Sequence, residues 1–222
     1  MAKMIKGVIF DMDGLIFDTE NLVYQATQRA ADELQITFGK EDYLRYLGIS
    51  DEEYVQVAHS DYDKDYGEET VTEFIRRSYA YTKEMFDAGL VATKPGVAEL
   101  LHYLEAQGIQ RILASSNNRP EIERLLAQAD LTQDFPVIVS AEDVHRAKPD
   151  PAIFLAAAAL LQLPPHELLV LEDSANGVKA ALAAEIPVIM VPDLLEPDAE
   201  LAGKTLAVLP DLHQVKEFLA KA

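Results

Sequence analysis

Short apolar runs alternate with helical patterns along most of this chain, and this alternation restricts the folds that the chain can adopt. Apolar runs predict strands at residues 8–10, 111–114, 136–139, 168–171, 188–191 and 206–209. Helical spacing of apolar residues predicts helices at 97–107, 121–129, 151–161, 175–184 and 214–220. Continuous apolar runs are typical of strands that are buried on both faces. The pattern therefore predicts an α/β fold with a parallel sheet and helices on both faces.

A block of helical patterns interrupts this alternation directly after the first strand. Within it, helices are predicted at 20–35, 41–47, 51–59 and 68–86. Gly89 and the Pro95-Gly96 pair end the block, because glycine and proline mark turns. We therefore expect a core of residues 1–16 and 91–222 and an inserted all-helical domain of residues 17–90.

Composition excludes several classes of function. The chain carries 38 acidic against 19 basic residues, which gives a formal net charge of -19. Such a surface repels phosphate backbones, so we expect no nucleic-acid partner. There is no cysteine, which excludes disulfides and thiolate catalysis. No apolar run reaches the ~18 residues of a membrane span, so we expect a cytoplasmic protein with no membrane partner. We also expect the protein to be a monomer.

Polar and charged side chains follow four of the predicted strands. They are Asp11 and Asp13 after the first, Ser115, Ser116 and Asn117 after the second, Lys148 a few residues after the third, and Glu172 and Asp173 after the fourth. Each alone is compatible with a turn, a helix cap or a surface charge. Because the carboxyl ends of parallel strands meet at one edge of a sheet, we expect these side chains to form one site.

The carboxylates of this site indicate a hard cation. Asp11 and Asp13 are too close in sequence to remain ionised side by side without a cation or a shared proton. A calcium loop is excluded, because the glycine is fourth rather than sixth and the twelfth residue is Leu22 rather than glutamate. Four carboxylates without nitrogen or sulfur ligands predict Mg²⁺.

The motifs in this order resemble a known family. Asp-x-Asp-Gly, an apolar strand that ends in Ser, Lys-Pro and Glu-Asp are together similar to the haloacid dehalogenase-like hydrolase superfamily, in its subgroup of small phosphatases and β-phosphoglucomutase-like enzymes. The resemblance covers essentially the whole chain. It implies a Rossmann-like core, a helical cap at residues 17–90, and a Mg²⁺-dependent phosphatase whose partner is a small phosphorylated metabolite such as a sugar phosphate.

The resemblance also implies a role for each site residue. Asp11 would be the nucleophile that forms an aspartyl-phosphate, and Asp13 would be the general acid and then the base. Lys148 would orient Asp11. The phosphate would be held by Ser115, Ser116 and Asn117, with Arg77 of the cap touching the substrate. Magnesium would be bound by the side chains of Asp11 and Asp173 and by the backbone carbonyl of Asp13. Glu172 would be a further ligand or a neighbour of the ligands.

Two alternatives remain at this point. A sugar phosphomutase of the β-phosphoglucomutase type is disfavoured because Val23 stands where those enzymes carry a cap histidine. In addition, the turn Gly48-Ile49-Ser50 leads to Asp51 instead of arginine. A phospho-accepting signalling module of the receiver type also groups carboxylates, a hydroxyl and a lysine around magnesium. A receiver, however, lacks a helical insert after its first strand and has no second aspartate placed to discharge the phosphoryl group.

Overall fold

The protein contains a six-stranded parallel sheet. The structure is a computed structural model that describes residues 5–47, 49 and 51–221. The strands are β1 (Gly7–Phe10), β2 (Gln110–Ala114), β3 (Ile138–Val139), β4 (Leu168–Glu172), β5 (Val188–Met190) and β6 (Ala207–Val208). Their order in the sheet is β3-β2-β1-β4-β5-β6, and every adjacent pair is parallel. The predicted α/β fold with a parallel sheet is confirmed.

The first strand lies at the centre of this sheet. Phe10 pairs with Leu113 of β2 on one side and with Leu171 of β4 on the other. All four residues of β1 are buried, as expected for a strand that is apolar on both faces. The residues that follow β1, β2 and β4 are therefore brought to the same edge of the sheet, and this arrangement positions the site.

Ten α-helices accompany the strands within the described residues. They are α1 (Thr19–Glu33), α2 (Lys40–Leu44), α3 (Asp51–Tyr66), α4 (Glu68–Asp87), α5 (Val97–Ala106), α6 (Arg119–Gln128), α7 (Ala152–Leu161), α8 (Ala175–Ala183), α9 (Ala199–Ala202) and α10 (Leu212–Lys221). Most predicted helices agree with these to within a few residues. The short α9 was not predicted; Asp198 caps it by accepting a hydrogen bond from the Leu201 N–H.

Several predicted elements have different lengths from those expected, and two of the differences have a clear physical reason. Helix α3 continues to Tyr66 instead of ending near residue 59, because Ala58 and Tyr62 are buried four residues apart on one helical face. Strand β3 begins at Ile138 rather than at Pro136, consistent with the missing N–H of proline, which cannot donate to a neighbouring strand.

The chain divides into two compact units, Met1–Asp18 with Ala92–Ala222 and Thr19–Val91. The second, which we call the helical unit, contains α1 to α4 and no strand among its described residues. Its interior is apolar and includes Ala26, Ala30 and Phe74. That it acts as a cap remains a prediction. None of the described helices is long and apolar enough to cross a membrane.

The two chain segments that connect the units lie side by side in the first unit. The Asp18 N–H donates to the carbonyl of Ala92 (2.9 Å), and the Lys94 N–H donates to that of Ile16 (2.8 Å). An antiparallel bridge joins Phe17 and Thr93 between them. The chain therefore leaves the sheet unit and returns to it through one short paired segment.

Candidate active site

Asp11 and Lys148 form a buried ion pair at the end of the central strand. The Asp11 N–H still donates to the Leu171 carbonyl (3.0 Å), so the backbone here is held against β4. Lys148 Nζ donates to Asp11 Oδ1 and also to Glu172 Oε1, the latter at 2.6 Å. The Lys148 side chain is only 8% exposed. A single lysine thus bridges the carboxylates that follow β1 and β4.

Glu172 occupies a closely fitted, fully buried position. Its Oε2 accepts hydrogen bonds from the Ser174 N–H (2.7 Å) and from Ser174 Oγ (3.0 Å). Gly177 leaves the space for this carboxylate, because a Cβ at that position would lie 1.7 Å from Glu172 Oε1. Both carboxylate oxygens of Glu172 therefore have hydrogen-bond partners, and Glu172 fixes the position of the Lys148 ammonium.

The acidic groups of Asp11, Glu172 and Asp173 form a compact cluster. Oxygen atoms from the three side chains lie within 4.8 Å of one another. Burial raises the pKa of Asp11 to about 7, although the neighbouring Lys148 ammonium lowers it. Burial, reinforced by the charges of Glu172 and Asp11, holds the pKa of Asp173 well above its usual range. Three crowded carboxyl groups, with oxygen as the only donor atom, fit a hard divalent cation such as Mg²⁺.

The charge on Lys148 is secured by the same cluster. Burial alone would lower the pKa of this ammonium, but the carboxylates of Asp11 and Glu172 raise it overall. The lysine is therefore a permanent cation at neutral pH. Its positive charge can offset the repulsion between the Asp11 carboxylate and an anionic ligand beside it.

Asp13 lies on a tight loop that follows the strand. The Gly14 N–H donates to the Phe17 carbonyl (2.8 Å), and Gly14 has a φ of +75°, which favours glycine. A Cβ at Gly14 would also lie 2.3 Å from Asp173 Oδ2. Asn117 Nδ2 donates to Asp13 Oδ2 at 2.9 Å. The second aspartate is thus oriented by a side chain from the end of β2.

The serines after β2 have different environments. Ser115 is buried, and its Oγ accepts a hydrogen bond from the Asn117 N–H (3.1 Å). The Asn117 N–H is therefore already bonded within this loop. Ser116 is exposed and, together with Lys148, lines a cavity of about 160 Å³. Ser115, Ser116 and Asn117 thus lie at the predicted edge, and their contact with phosphate stays a prediction.

Arg77 belongs to the helical unit and not to this cluster. It lies in α4, where its guanidinium pairs with Glu33 (2.9 Å) and with Glu73 (2.8 Å). Arg76 pairs with Glu73 as well. The charge of Arg77 is therefore already matched by acids of its own unit, and its predicted role in substrate binding stays a prediction.

Sequence reasoning missed a second buried ion pair near the site. Lys94 Nζ donates to Asp193 Oδ1 at 2.5 Å and lies 3.5 Å from Asp18 Oδ1. Asp193 is 4% exposed in its side chain, and its Oδ2 has no hydrogen-bond partner among the described residues. The Asp193 Cβ would lie 3.2 Å from a Cβ at Gly14. Because Asp193 follows β5, the same strand-end criterion would have found it.

Comparison with known proteins places the chain in a family. The model of the haloacid dehalogenase-like hydrolase family matches residues 8–191, a span that contains every strand-end residue described above except Asp193. The chain belongs to this family. The resemblance noted from the motif order is confirmed, and so is the prediction that the protein is an enzyme of the hydrolase class.

Several proteins are similar to this chain over most of their length. The phosphorylated carbohydrates phosphatase of Thermotoga maritima is 32% identical over 220 residues, which cover 97% of this chain and 100% of that protein. The β-phosphoglucomutase of Bacillus subtilis is 34% identical over 187 residues, covering 81% and 80%. A crystal structure of a family hydrolase from Deinococcus radiodurans, with bound phosphate and sodium, has a TM-score of 0.83 at 26% identity and covers 100% and 97%.

Proposed function

We propose that this haloacid dehalogenase-like hydrolase is a Mg²⁺-dependent phosphatase. It would hydrolyse a small phosphorylated carbohydrate through an aspartyl-phosphate on Asp11, and the helical unit would act as its cap. The observation that carries the proposal is the bridge of Lys148 between Asp11 and Glu172, beside Asp173. The names of the similar enzymes, one of them a phosphorylated carbohydrates phosphatase, support the substrate class.

The residues present suit magnesium. The side chains of Asp11 and Asp173 would hold the ion, with the backbone carbonyl of Asp13 and with Glu172 as a further ligand or as a neighbour that orients the ligands. When bound, Mg²⁺ supplies positive charge that allows a carboxylate and a phosphate to approach each other and that stabilises the transferring phosphoryl group. Lys148 adds a fixed positive charge on the other side of Asp11.

The first step would form a covalent intermediate. An Asp11 carboxylate oxygen attacks phosphorus, the bond from phosphorus to the carbohydrate oxygen breaks, and Asp13 gives its proton to that oxygen. The Asn117 amide donates to Asp13 Oδ2 and so orients this carboxyl group. The alcohol product leaves, and Asp13 is now a carboxylate.

The second step would regenerate the enzyme. Asp13 takes a proton from water, the water oxygen attacks phosphorus, and the bond between phosphorus and Asp11 breaks. Inorganic phosphate is released, Asp11 is again a carboxylate and Asp13 is again protonated. Lys148 holds Asp11 in one orientation through both steps, because its position is fixed by Glu172.

Phosphate release tests this proposal. We expect turnover of some compounds in a panel of sugar phosphates with Mg²⁺ and none with EDTA. Asp11→Asn should abolish turnover, and Asp13→Asn should lower kcat by about 10²–10⁴-fold, the usual effect of general acid–base catalysis. Asp65→Asn, on the exposed side of α3, is the matched control and should retain activity. Wild-type-like turnover in Asp11→Asn would refute the mechanism.

A sugar phosphomutase is the second candidate, favoured by the similarity to the β-phosphoglucomutase of B. subtilis. Val23 and Asp51, which stand where the mutases carry a histidine and an arginine, argue against this function. Both line a cavity of the helical unit. Gly48 and Ser50 of the turn before Asp51 lie outside the described residues. Isomerised hexose phosphate, detected by chromatography, would support the mutase. Labelling of Asp11 without turnover would instead support a phospho-accepting module.

A further inference from the structure

Lys94 and Asp193 form a buried ion pair in the first unit that has no part in the reaction described above. Lys94 Nζ donates to Asp193 Oδ1 at 2.5 Å, and the Asp193 side chain is only 4% exposed. Burial alone would lower the pKa of the Lys94 ammonium, but the carboxylates of Asp193 and Asp18 raise it. The lysine is therefore cationic at neutral pH and balances the charge of a buried carboxylate.

Both residues lie on segments that are hydrogen-bonded to strand ends of the acidic cluster. The Val191 N–H donates to the Glu172 carbonyl (2.8 Å), so the segment that leads to Asp193 stays beside the end of β4. The Lys94 N–H donates to the Ile16 carbonyl (2.8 Å), in the loop that follows β1. The ion pair therefore joins the end of β5 to the loop after the central strand.

The packing around Gly14 places Asp193 next to one of the proposed metal ligands. A Cβ built on Gly14 would collide with Asp173 Oδ2 and would lie 3.2 Å from the Asp193 Cβ. The side chains of the two aspartates therefore meet at Gly14, where only a hydrogen atom fits. Asp173 belongs to the cluster whose oxygen atoms could hold a metal ion directly, and Asp193 adjoins this cluster without belonging to it.

One oxygen of Asp193 has no donor that the protein provides. Oδ1 accepts from Lys94, whereas Oδ2 is buried and has no hydrogen-bond partner among residues 5–47, 49 and 51–221. A buried carboxylate oxygen without a donor is costly, and such atoms normally bond to water or to a ligand. The Asp193 Oδ2 atom therefore requires a donor from outside the protein.

A magnesium ion brings donors of the required kind. Mg²⁺ favours octahedral oxygen coordination and usually keeps several of its water molecules when it binds to protein carboxylates. These water molecules need acceptors, and acceptors beside the metal ligands orient the ligands and strengthen metal binding. A buried acceptor that adjoins Asp173 is suited to this role.

We propose that Asp193 is a positioning residue of the magnesium site, whose Oδ2 accepts a hydrogen bond from a water molecule bound to the ion. Lys94 holds Asp193 through Oδ1 and offsets its charge, so the site gains an acceptor without a further net negative charge. This inference rests on the Mg²⁺ site of the proposed phosphatase. It deepens that proposal by giving a role to two residues that lie outside the recognised motifs.

Isothermal titration calorimetry of Mg²⁺ into the EDTA-treated, dialysed protein tests the assignment without any need for turnover. Asp193→Asn keeps an oxygen for Lys94 but replaces the other oxygen with an amide donor. The Kd for Mg²⁺ should rise about 10–100-fold, the usual effect of removing a residue that orients metal ligands. Lys94→Met/Asp193→Leu removes the acceptor without changing the net charge, and its Kd should rise by a similar factor.

A matched control removes an ion pair of the same kind elsewhere. Lys204→Met/Glu200→Leu deletes an exposed lysine–glutamate pair of the same unit and should leave the Kd for Mg²⁺ unchanged. Circular dichroism establishes that each variant is folded. If Asp193→Asn does not fold, the double variant of the buried pair decides alone, because an apolar pair can replace a buried ion pair without loss of stability.

The outcomes separate this proposal from the phosphatase proposal, which hydrolysis of p-nitrophenyl phosphate by the wild type tests independently. An unchanged Kd in both variants of the buried pair overturns the role of Asp193. A rise in Asp193→Asn alone is a general effect of charge and overturns it too. Weaker Mg²⁺ binding in both variants, without hydrolysis by the wild type, refutes the phosphatase and supports the role of Asp193. Absence of Mg²⁺ binding to the wild type overturns both proposals.

Discussion

Replacing Asp11 with asparagine should stabilise the metal-free protein while it abolishes turnover. The Asp11 carboxyl is buried beside two other acids, and its pKa is raised from 3.8 to about 7. The folded protein therefore binds this proton more tightly than the unfolded chain does. As a result, the free energy of unfolding falls as the pH rises from about 4 to about 7 and is then constant. Asparagine keeps the shape, still accepts a hydrogen bond from Lys148 and carries no charge.

The size of the stability difference between Asp11→Asn and the wild type follows from the pKa shift of Asp11. Above about pH 7.5 the folded wild type holds an ionised Asp11 at a penalty of roughly 4 kcal/mol, and at about pH 5 the penalty is roughly 1–2 kcal/mol. The advantage of Asp11→Asn over wild type should therefore be about 2–3 kcal/mol larger at pH 8 than at pH 5. Asp65→Asn, a substitution of the same kind on the surface, should change stability by less than about 0.5 kcal/mol at both values.

Urea unfolding in the presence of EDTA, followed by circular dichroism at about pH 5 and about pH 8, measures this difference. Addition of Mg²⁺ at pH 8 should stabilise the wild type more than the variant, because a ligand that binds only the folded state shifts the equilibrium toward it. If Asp11→Asn is less stable than wild type at pH 8, or if its advantage does not depend on pH, then burial does not oppose the ionisation of Asp11 and the reasoning is refuted.

Two further substitutions test the packing around the site. Lys94→Met would leave the buried Asp193 carboxylate without a cation, so urea unfolding should show a free energy of unfolding that is lower by about 3–5 kcal/mol. The control Lys83→Met breaks an exposed pair and should have little effect. Equal losses in the two variants would contradict the argument. Gly177→Ala places a methyl group against the buried glutamate that follows β4, so it should lower both stability and kcat. Gly39→Ala, where a Cβ meets nothing within 4 Å, should not.

Much of the fold could be predicted because the relevant signals are local. The apolar run 168–171 is a strand in the structure, and Glu172 and Asp173 follow it at the edge where Asp11 also lies. Parallel pairing alone brings these groups together, whatever the identity of the neighbouring strands. For this reason the order of the strands was not needed to predict which residues form the candidate site.

The partners within the site could not be predicted in the same way. That Lys148 bridges Asp11 and Glu172, or that Gly177 makes room for Glu172, depends on side-chain packing between segments distant in sequence. The cavity of the helical unit that Val23 and Asp51 line likewise depends on the angles at which α1, α3 and α4 pack, which helical periodicity does not specify. Strand-end spacing predicts which residues meet, and packing determines which atoms touch.

The central position of β1 also has a consequence for the order in which the protein folds. Gly7 pairs with Gln110 and with Leu168, so the first strand to be synthesised has no neighbour until much of the chain has followed. The contacts of β1 are thus of high sequence separation, which slows folding. The helical unit, whose contacts are local, can fold earlier on the ribosome. The residue proposed as nucleophile is therefore among the first to be made, yet its surroundings are completed only after β4 has emerged.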